Sequence, residues 1–211
     1  MSNPWEKIYT SSNPDDFKDP YPLFDLAIHN LKASNSKKVL DITTGNGRHL
    51  IELARNGFET YGFDISDKII DLSSTNLKKL NLSANLMVSD MFKEYPYQDN
   101  FFDGVVAIQA IYHGSKENFY YAIKEVRRVL KKGKPFIFTV SKSYKRCMDG
   151  SYKKEFEVID DRTIIPLTGR EKGLMHFFPN KKIIKDATGK LFENTKIIDD
   201  DDNHYYLVQC K

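Results

Sequence analysis

Apolar positions follow two rhythms along the first two thirds of the chain: short unbroken runs, and segments with an apolar residue every third or fourth position. Residues 38–43 form a run rich in branched side chains and predict a strand. Residues 59–65, 86–88, 101–108 and 135–140 predict four more. Between them, residues 49–56 carry Leu50, Leu53 and Ala54 on one side, with Gly57 placed to end a helix. Residues 67–80 carry Ile70, Ser73, Leu77 and Leu80 along one expected face. Phe119, Ile123, Val126 and Leu130 recur at helical steps before Gly133. Strands that are apolar without alternation are buried on both faces, as in a parallel sheet covered by helices. Alternating strands and helices give the same answer, so the expected class is α/β, doubly wound.

The last third breaks this rhythm. Residues 155–159 and 163–165 flank Asp160-Asp161-Arg162 as a β-hairpin, and residues 169–179 read as an aromatic loop. Residues 180–191 predict a helix. Residues 195–198 and 205–209 flank the acidic run Asp199-Asp200-Asp201-Asp202 as a terminal antiparallel pair. That run reads as a solvated turn; no further ligands are spaced around it, and no metal is expected. Ahead of the first strand, residues 22–32 predict a helix with Leu23, Ala27 and Leu31 in register. The expectation is therefore one domain over residues 1–211. It comprises a helical cap (1–36), a ligand-binding core (37–142), an insertion at the substrate rim (143–179), and a C-terminal helix with the β-pair (180–211). Segments such as the insertion sit where pockets are covered.

Composition narrows the class. The chain has 211 residues, 29% of them charged, and a formal net charge of +3. This excludes wholesale disorder and gives no ground for a nucleic-acid partner. The basic knot Lys131-Lys132-Gly133-Lys134 falls where a helix ends and suits the negative helix terminus. No apolar run approaches the ~20 residues that span a bilayer. The N-terminus lacks the apolar core of a signal peptide, so a cytoplasmic location and no membrane partner are expected. The two cysteines, Cys147 and Cys210, lie far apart and in no metal-ligand spacing.

In an open α/β sheet, ligands bind beyond the carboxyl ends of the strands. The first strand runs into Asp41-Ile42-Thr43-Thr44-Gly45-Asn46-Gly47-Arg48-His49, a glycine turn that opens a helix. The second ends in Phe63-Asp64-Ile65, the third in Ser89-Asp90-Met91, and the fourth in Gln109-Ala110-Ile111-Tyr112-His113. A carboxylate at Asp64 suits the two hydroxyls of a ribose. Asp90 suits an adenine amino group, with Met91 against the ring. Alone, each is also explained as a bare turn or a helix N-cap; the order of the three carries the nucleoside reading. A dinucleotide site asks for a third glycine where Leu50 stands. That shifts the reading to S-adenosylmethionine, which has no phosphates.

Val39-Leu40-Asp41-Ile42-Thr43-Thr44-Gly45-Asn46-Gly47 resembles the first motif of the class I S-adenosylmethionine-dependent methyltransferases. Residues 97–103 and 125–134 resemble the approaches to that family's fourth and fifth strands. The resemblance covers about residues 37–142, with the terminal β-pair in outline. It implies a Rossmann-like sheet of seven strands, mostly parallel with a terminal antiparallel pair. It further implies that Asp41, Thr43, Gly45 and Gly47 line the methionine half of the cofactor, that Asp64 takes the ribose, that Ile65 packs on adenine, that Asp90 and Met91 read its edge, and that Gln109 lies under the transferable methyl. Thr43 departs from the family, which usually has glycine there. The implied reaction is in-line displacement on the sulfonium methyl, leaving S-adenosylhomocysteine.

Tyr9 resembles part of an N-terminal element that closes over the cofactor; it equally serves as an anchor for its helix. Arg48 either pairs with the cofactor carboxylate or faces solvent. His113 and His176 are the catalytic candidates on the substrate side, and each also reads as a structural histidine. The expected partner is a small-molecule acceptor, with a homodimer left open. The alternatives are a cofactor-binding regulatory module without turnover, and an RNA or protein methyltransferase.

Overall fold

The computed structural model describes residues 4–11, 17, 19–142, 155–200 and 205–211. Cys147, the first part of the expected insertion, and Asp201 and Asp202 lie outside the described residues. Two helices lead in: α1 (Pro4–Ser11) and α2 (Phe24–Ala33). Then follow β1 (Lys38–Ile42), α3 (Arg48–Arg55), β2 (Glu59–Asp64), α4 (Asp67–Lys79), β3 (Asn85–Val88), β4 (Gly104–Ala107), α5 (Lys116–Val129) and β5 (Phe136–Ser141). The chain ends with β6 (Phe156–Asp160), β7 (Thr163–Pro166), β8 (His176–Phe177), α6 (Lys181–Gly189), β9 (Lys196–Asp200) and β10 (Tyr205–Cys210).

The main sheet has seven strands in the order β3-β2-β1-β4-β5-β10-β9. The first five are parallel, and β10 and β9 close the edge antiparallel. Alternation along each strand divides the core into two layers. Leu40, Val105, Ala107, Phe136 and Phe138 face α5 and α6. Val39, Val106 and Ile137 face α2 and α3. Both faces are therefore dry, which is why the central strands read as unbroken apolar runs. Each large apolar side chain sealed this way contributes about 1.5–3 kcal/mol. Helix α5 starts at a reciprocal cap: the Asn118 N–H donates to Ser115 Oγ at 3.2 Å, and the Ser115 N–H donates to Asn118 Oδ1 at 3.1 Å. Asp103 joins the neighbouring strand starts by accepting from the backbone N–H groups of Lys37 and Lys38 at 3.1 and 3.0 Å.

Several expectations need correction. The inner face of α4 is Ile69, Ser73 and Leu77, while Leu80 is exposed at the C-cap. Four-residue steps from Ile69, not Ile70, meet the sheet. The acidic run is not simply a solvated turn. Asp199 is paired with Lys142 and Lys181, and Asp200 is buried and accepts a hydrogen bond from the Tyr21 hydroxyl. The loop expected over 169–179 contributes β8, which extends the β6–β7 hairpin into a separate three-stranded sheet. Among the described residues, no helix is long and apolar enough to cross a membrane.

Candidate functional site

The chain winds outward from β1 to β3, then returns to place β4 on the other side of β1. That reversal opens a crevice beyond the carboxyl ends of β1 and β4. A cavity of about 230 Å³ lies there. Its strand-tip wall includes Thr43, Asp64, Ile65, Asp90, Met91 and Gln109. Its rim includes Trp5, Phe17, Tyr112, His113, Arg170, Glu171 and Tyr205.

The turn after β1 fixes the strand-tip wall. Gly45 (φ 54°) and Gly47 (φ 85°) take the left-handed conformation that glycine adopts without strain, and Gly47 is the N-cap of α3. The Gly45 N–H donates to Asp64 Oδ2 at 3.1 Å, joining the tips of β1 and β2. Helix α4 steadies the turn: Ser73 Oγ donates to the Gly45 carbonyl at 2.6 Å, and Asn76 Nδ2 donates to the Asn46 carbonyl at 3.0 Å. Burial pushes the Asp64 carboxyl up to about 6, although the N–H groups of Gly45, Ile65 and Ser66 favour its ionised form. Asp90 Oδ1 accepts the Phe92 N–H at 2.9 Å.

Asp41 lies beneath the cavity, not on its wall. Burial holds its carboxyl well above the usual carboxylate range; Arg48 opposes this and Asp64 adds to it. Asp41 Oδ2 is shielded and has no hydrogen-bond partner among the described residues. Gly45 and Gly47 also shape the wall without lining it. Tyr9 covers Gly45 so closely that a Cβ there would stand 2.2 Å from the Tyr9 Oη. Burial, reinforced by Asp64, pushes the Tyr9 hydroxyl well up and keeps it protonated. Helix α1 is held over the site by Glu6, which accepts from Ser66 Oγ at 2.7 Å and from Lys68 Nζ at 3.0 Å.

On the rim, the partly buried His113 ring meets Trp5 edge-on at 4.7 Å and His176 at 4.6 Å between centroids. Burial and the neighbouring His176 hold His113 well below the ordinary histidine range, so it is neutral at pH 7. Its Nδ1 is shielded and has no hydrogen-bond partner among the described residues. His176 is buried behind the wall, with Nε2 3.9 Å from Glu171 Oε2. The Tyr112 and Tyr205 hydroxyls lie 3.2 Å apart. Arg48 divides the two regions: it donates to Gln109 Oε1 and to the Asp19 carbonyl. Arg48 and Arg170 stand over the Phe17 ring at 5.3 and 4.5 Å.

Of the residues singled out in the sequence, Tyr9, Thr43, Asp64, Ile65, Asp90, Met91, Gln109 and His113 line this one cavity. Asp41, Gly45, Gly47 and His176 support it. Sequence reasoning missed Phe17, Phe92, Arg170, Glu171 and Tyr205. Arg170 and Glu171 stand between Gly169 and Gly173, in a loop expected at the rim, which was the available signal. Phe17 gave none.

A family model described as "Methyltransferase domain" matches residues 39–133. The chain is 35% identical over 108 residues to sterol 24-C-methyltransferase ERG6B of Gibberella zeae, covering 50% of this chain and 28% of that protein. It spans about half the length, or less, of the curated relatives it matches. Among solved structures, it is similar to the PH0226 protein of Pyrococcus horikoshii, with a TM-score of 0.71 and 24% identity over 97% of this chain and 95% of that one. It is also similar to magnesium protoporphyrin IX methyltransferase of Synechocystis, solved with bound S-adenosylhomocysteine, with a TM-score of 0.68 and 14% identity over 98% and 92% of the two chains. Fold, strand-tip motif and family match agree: residues 39–133 carry the methyltransferase-domain pattern on a seven-stranded Rossmann-like sheet.

Proposed function

We propose that this domain transfers a methyl group from S-adenosylmethionine to a small-molecule acceptor. The observation that carries the reading is the convergence of Asp64, Asp90 and Gln109, from three different strand tips, on one cavity. The residues present suit this cofactor. Asp64 offers a carboxylate to the ribose hydroxyls, Asp90 an acceptor to the adenine amino group, and Ile65 and Met91 apolar surface to the ring. The shielded Asp41 Oδ2, without a hydrogen-bond partner among the described residues, leaves polar capacity unused on the β1 side of the cavity.

When bound, the cofactor supplies the electrophilic methyl. The protein's part is orientation, and proximity of this kind lowers barriers by roughly 7–11 kcal/mol. Tyr9 and Trp5, on α1, shield the cavity from above. Gln109, anchored by its N–H to Thr139 Oγ1 at 2.7 Å, presents its side chain between the two walls. A neutral His113 at the rim is in the correct state to take a proton from an acceptor that arrives protonated. The sterol and porphyrin methyltransferases among the relatives act on small molecules, as their names state, which supports an acceptor of that class.

Calorimetry tests the reading. S-adenosylmethionine and S-adenosylhomocysteine are expected to bind in the micromolar range, with radiolabelled methyl passing to small molecules of a cell extract. Absence of binding at millimolar ligand overturns it. Binding without transfer favours the regulatory reading.

A further inference from the structure

Among the described residues, non-glycine residues with positive φ fall into two groups. Asn35, Asn81, Asn100 and Asn194 are turn asparagines, which visit the left-handed region readily. The others are Phe17 (φ 61°), Thr43 (φ 59°) and Gln109 (φ 55°), and all three line the cavity. Strain concentrated in this way marks positions where the surrounding structure enforces a side chain for use. Thr43 is the sharpest case, because a β-branched residue is a genuine outlier at this φ. Glycine would meet the turn without steric penalty.

The Thr43 hydroxyl does not explain its retention. It donates to the Ile42 carbonyl at 2.6 Å, turned back on its own backbone. What Thr43 gives the cavity is bulk. Its place says what the bulk bears on. Strand β1 lies between β2, which ends at Asp64, and β4, which leads to Gln109. A nucleoside held at Asp64 and reaching toward Gln109 and His113 must cross the tip of β1 with the atoms attached at its 5′ carbon. In S-adenosylmethionine that atom is the sulfur.

Resting on the cofactor reading above, we propose that Thr43 is a specificity-determining residue: its strained side chain gauges the size of the substituent on the cofactor's sulfur, admitting methyl and disfavouring larger alkyl groups.

The test is calorimetry of wild type, Thr43→Gly and Thr43→Ala with S-adenosylhomocysteine, S-adenosylmethionine and S-adenosylethionine, alongside thermal melts. Wild type is expected to bind the methyl compound roughly tenfold or more tightly than the ethyl one, the scale of one methylene in a confined pocket. Both variants should bring that ratio to within about threefold. Thr43→Gly should also melt about 2–4 °C higher through relief of the left-handed strain, and Thr43→Ala should show no such gain. Bound S-adenosylhomocysteine with an unchanged methyl-to-ethyl ratio in both variants overturns this inference alone, as does a wild type that accepts both compounds equally. Failure of wild type to bind any of the three overturns the cofactor reading and this inference with it. Should Thr43→Gly not fold, the ratio in Thr43→Ala decides.

Discussion

The two walls of the cavity are built by different means. The strand-tip wall takes its residues from the last position of β2 and the turns just past β1, β2, β3 and β4, strands whose spacing of about 4.8 Å is set by the sheet. Its acids are fixed by main-chain hydrogen bonds, such as Gly45 N–H to Asp64 and Phe92 N–H to Asp90. The rim wall gathers Trp5 from α1, His113 from the loop after β4, Glu171 from the loop between β7 and β8, and Tyr205 from β10. Ring contacts and a long side-chain approach hold these together: Trp5 on His113, and Glu171 Oε2 3.9 Å from His176 Nε2. A wall fixed by the sheet suits a constant ligand. A wall assembled from separate loops is the one that changes with the acceptor.

Substitutions in the two walls should therefore separate two readouts. The largest effect is expected at Asp64. Asp64→Ala should weaken S-adenosylhomocysteine binding by more than ~1.5 kcal/mol, over tenfold, because hydrogen bonds to a charged group carry about 1.5–3 kcal/mol. Unchanged affinity by calorimetry would remove Asp64 from the cofactor site.

A second effect follows from the same carboxyl, raised to about 6. Ligand hydroxyls favour its ionised form, so affinity should be flat above that pH and fall by about tenfold per unit below it, with one proton taken up on release. Asp64→Asn should abolish this slope. The linkage to folding has the opposite sign. A carboxyl raised in the folded state contributes stability below its unfolded value, and that contribution is lost as the pH rises through about 6. Denaturant titrations of the free wild-type and Asp64→Asn proteins from pH 4 to 7 measure it.

The smallest effect on cofactor binding belongs to the rim. Glu171→Gln should leave S-adenosylhomocysteine affinity within about twofold, since Glu171 comes from the rim loop and approaches His176 behind the wall, while altering the KM for the acceptor. A tenfold loss of cofactor affinity in this variant would erase the distinction between the walls.

The same contrast explains what could be read in the sequence. Asp64 and Asp90 were legible because an apolar strand ends at each, and strand ends in a doubly wound sheet converge. Thr43 stood out as a side chain where the related motif has glycine, and its φ of 59° gives that departure a physical meaning. Phe17, Arg170, Glu171 and Tyr205 were not legible as a group. They meet through tertiary contacts between segments far apart in the chain, and no local period marks such meetings. The Ile69 face of α4 was missed by one position for a related reason: Ile69 and Ile70 are chemically equivalent, and only packing on the sheet chooses between them.

The most direct measurement is a crystal structure with S-adenosylhomocysteine. The account predicts both ribose hydroxyls at about 2.6–3.2 Å from the Asp64 carboxylate, adenine beside Asp90 and Met91, and the sulfur passing over Thr43 toward Gln109 and His113. Adenosine bound away from the tips of β1, β2 and β3, or an Asp64 turned from the ribose, would contradict it.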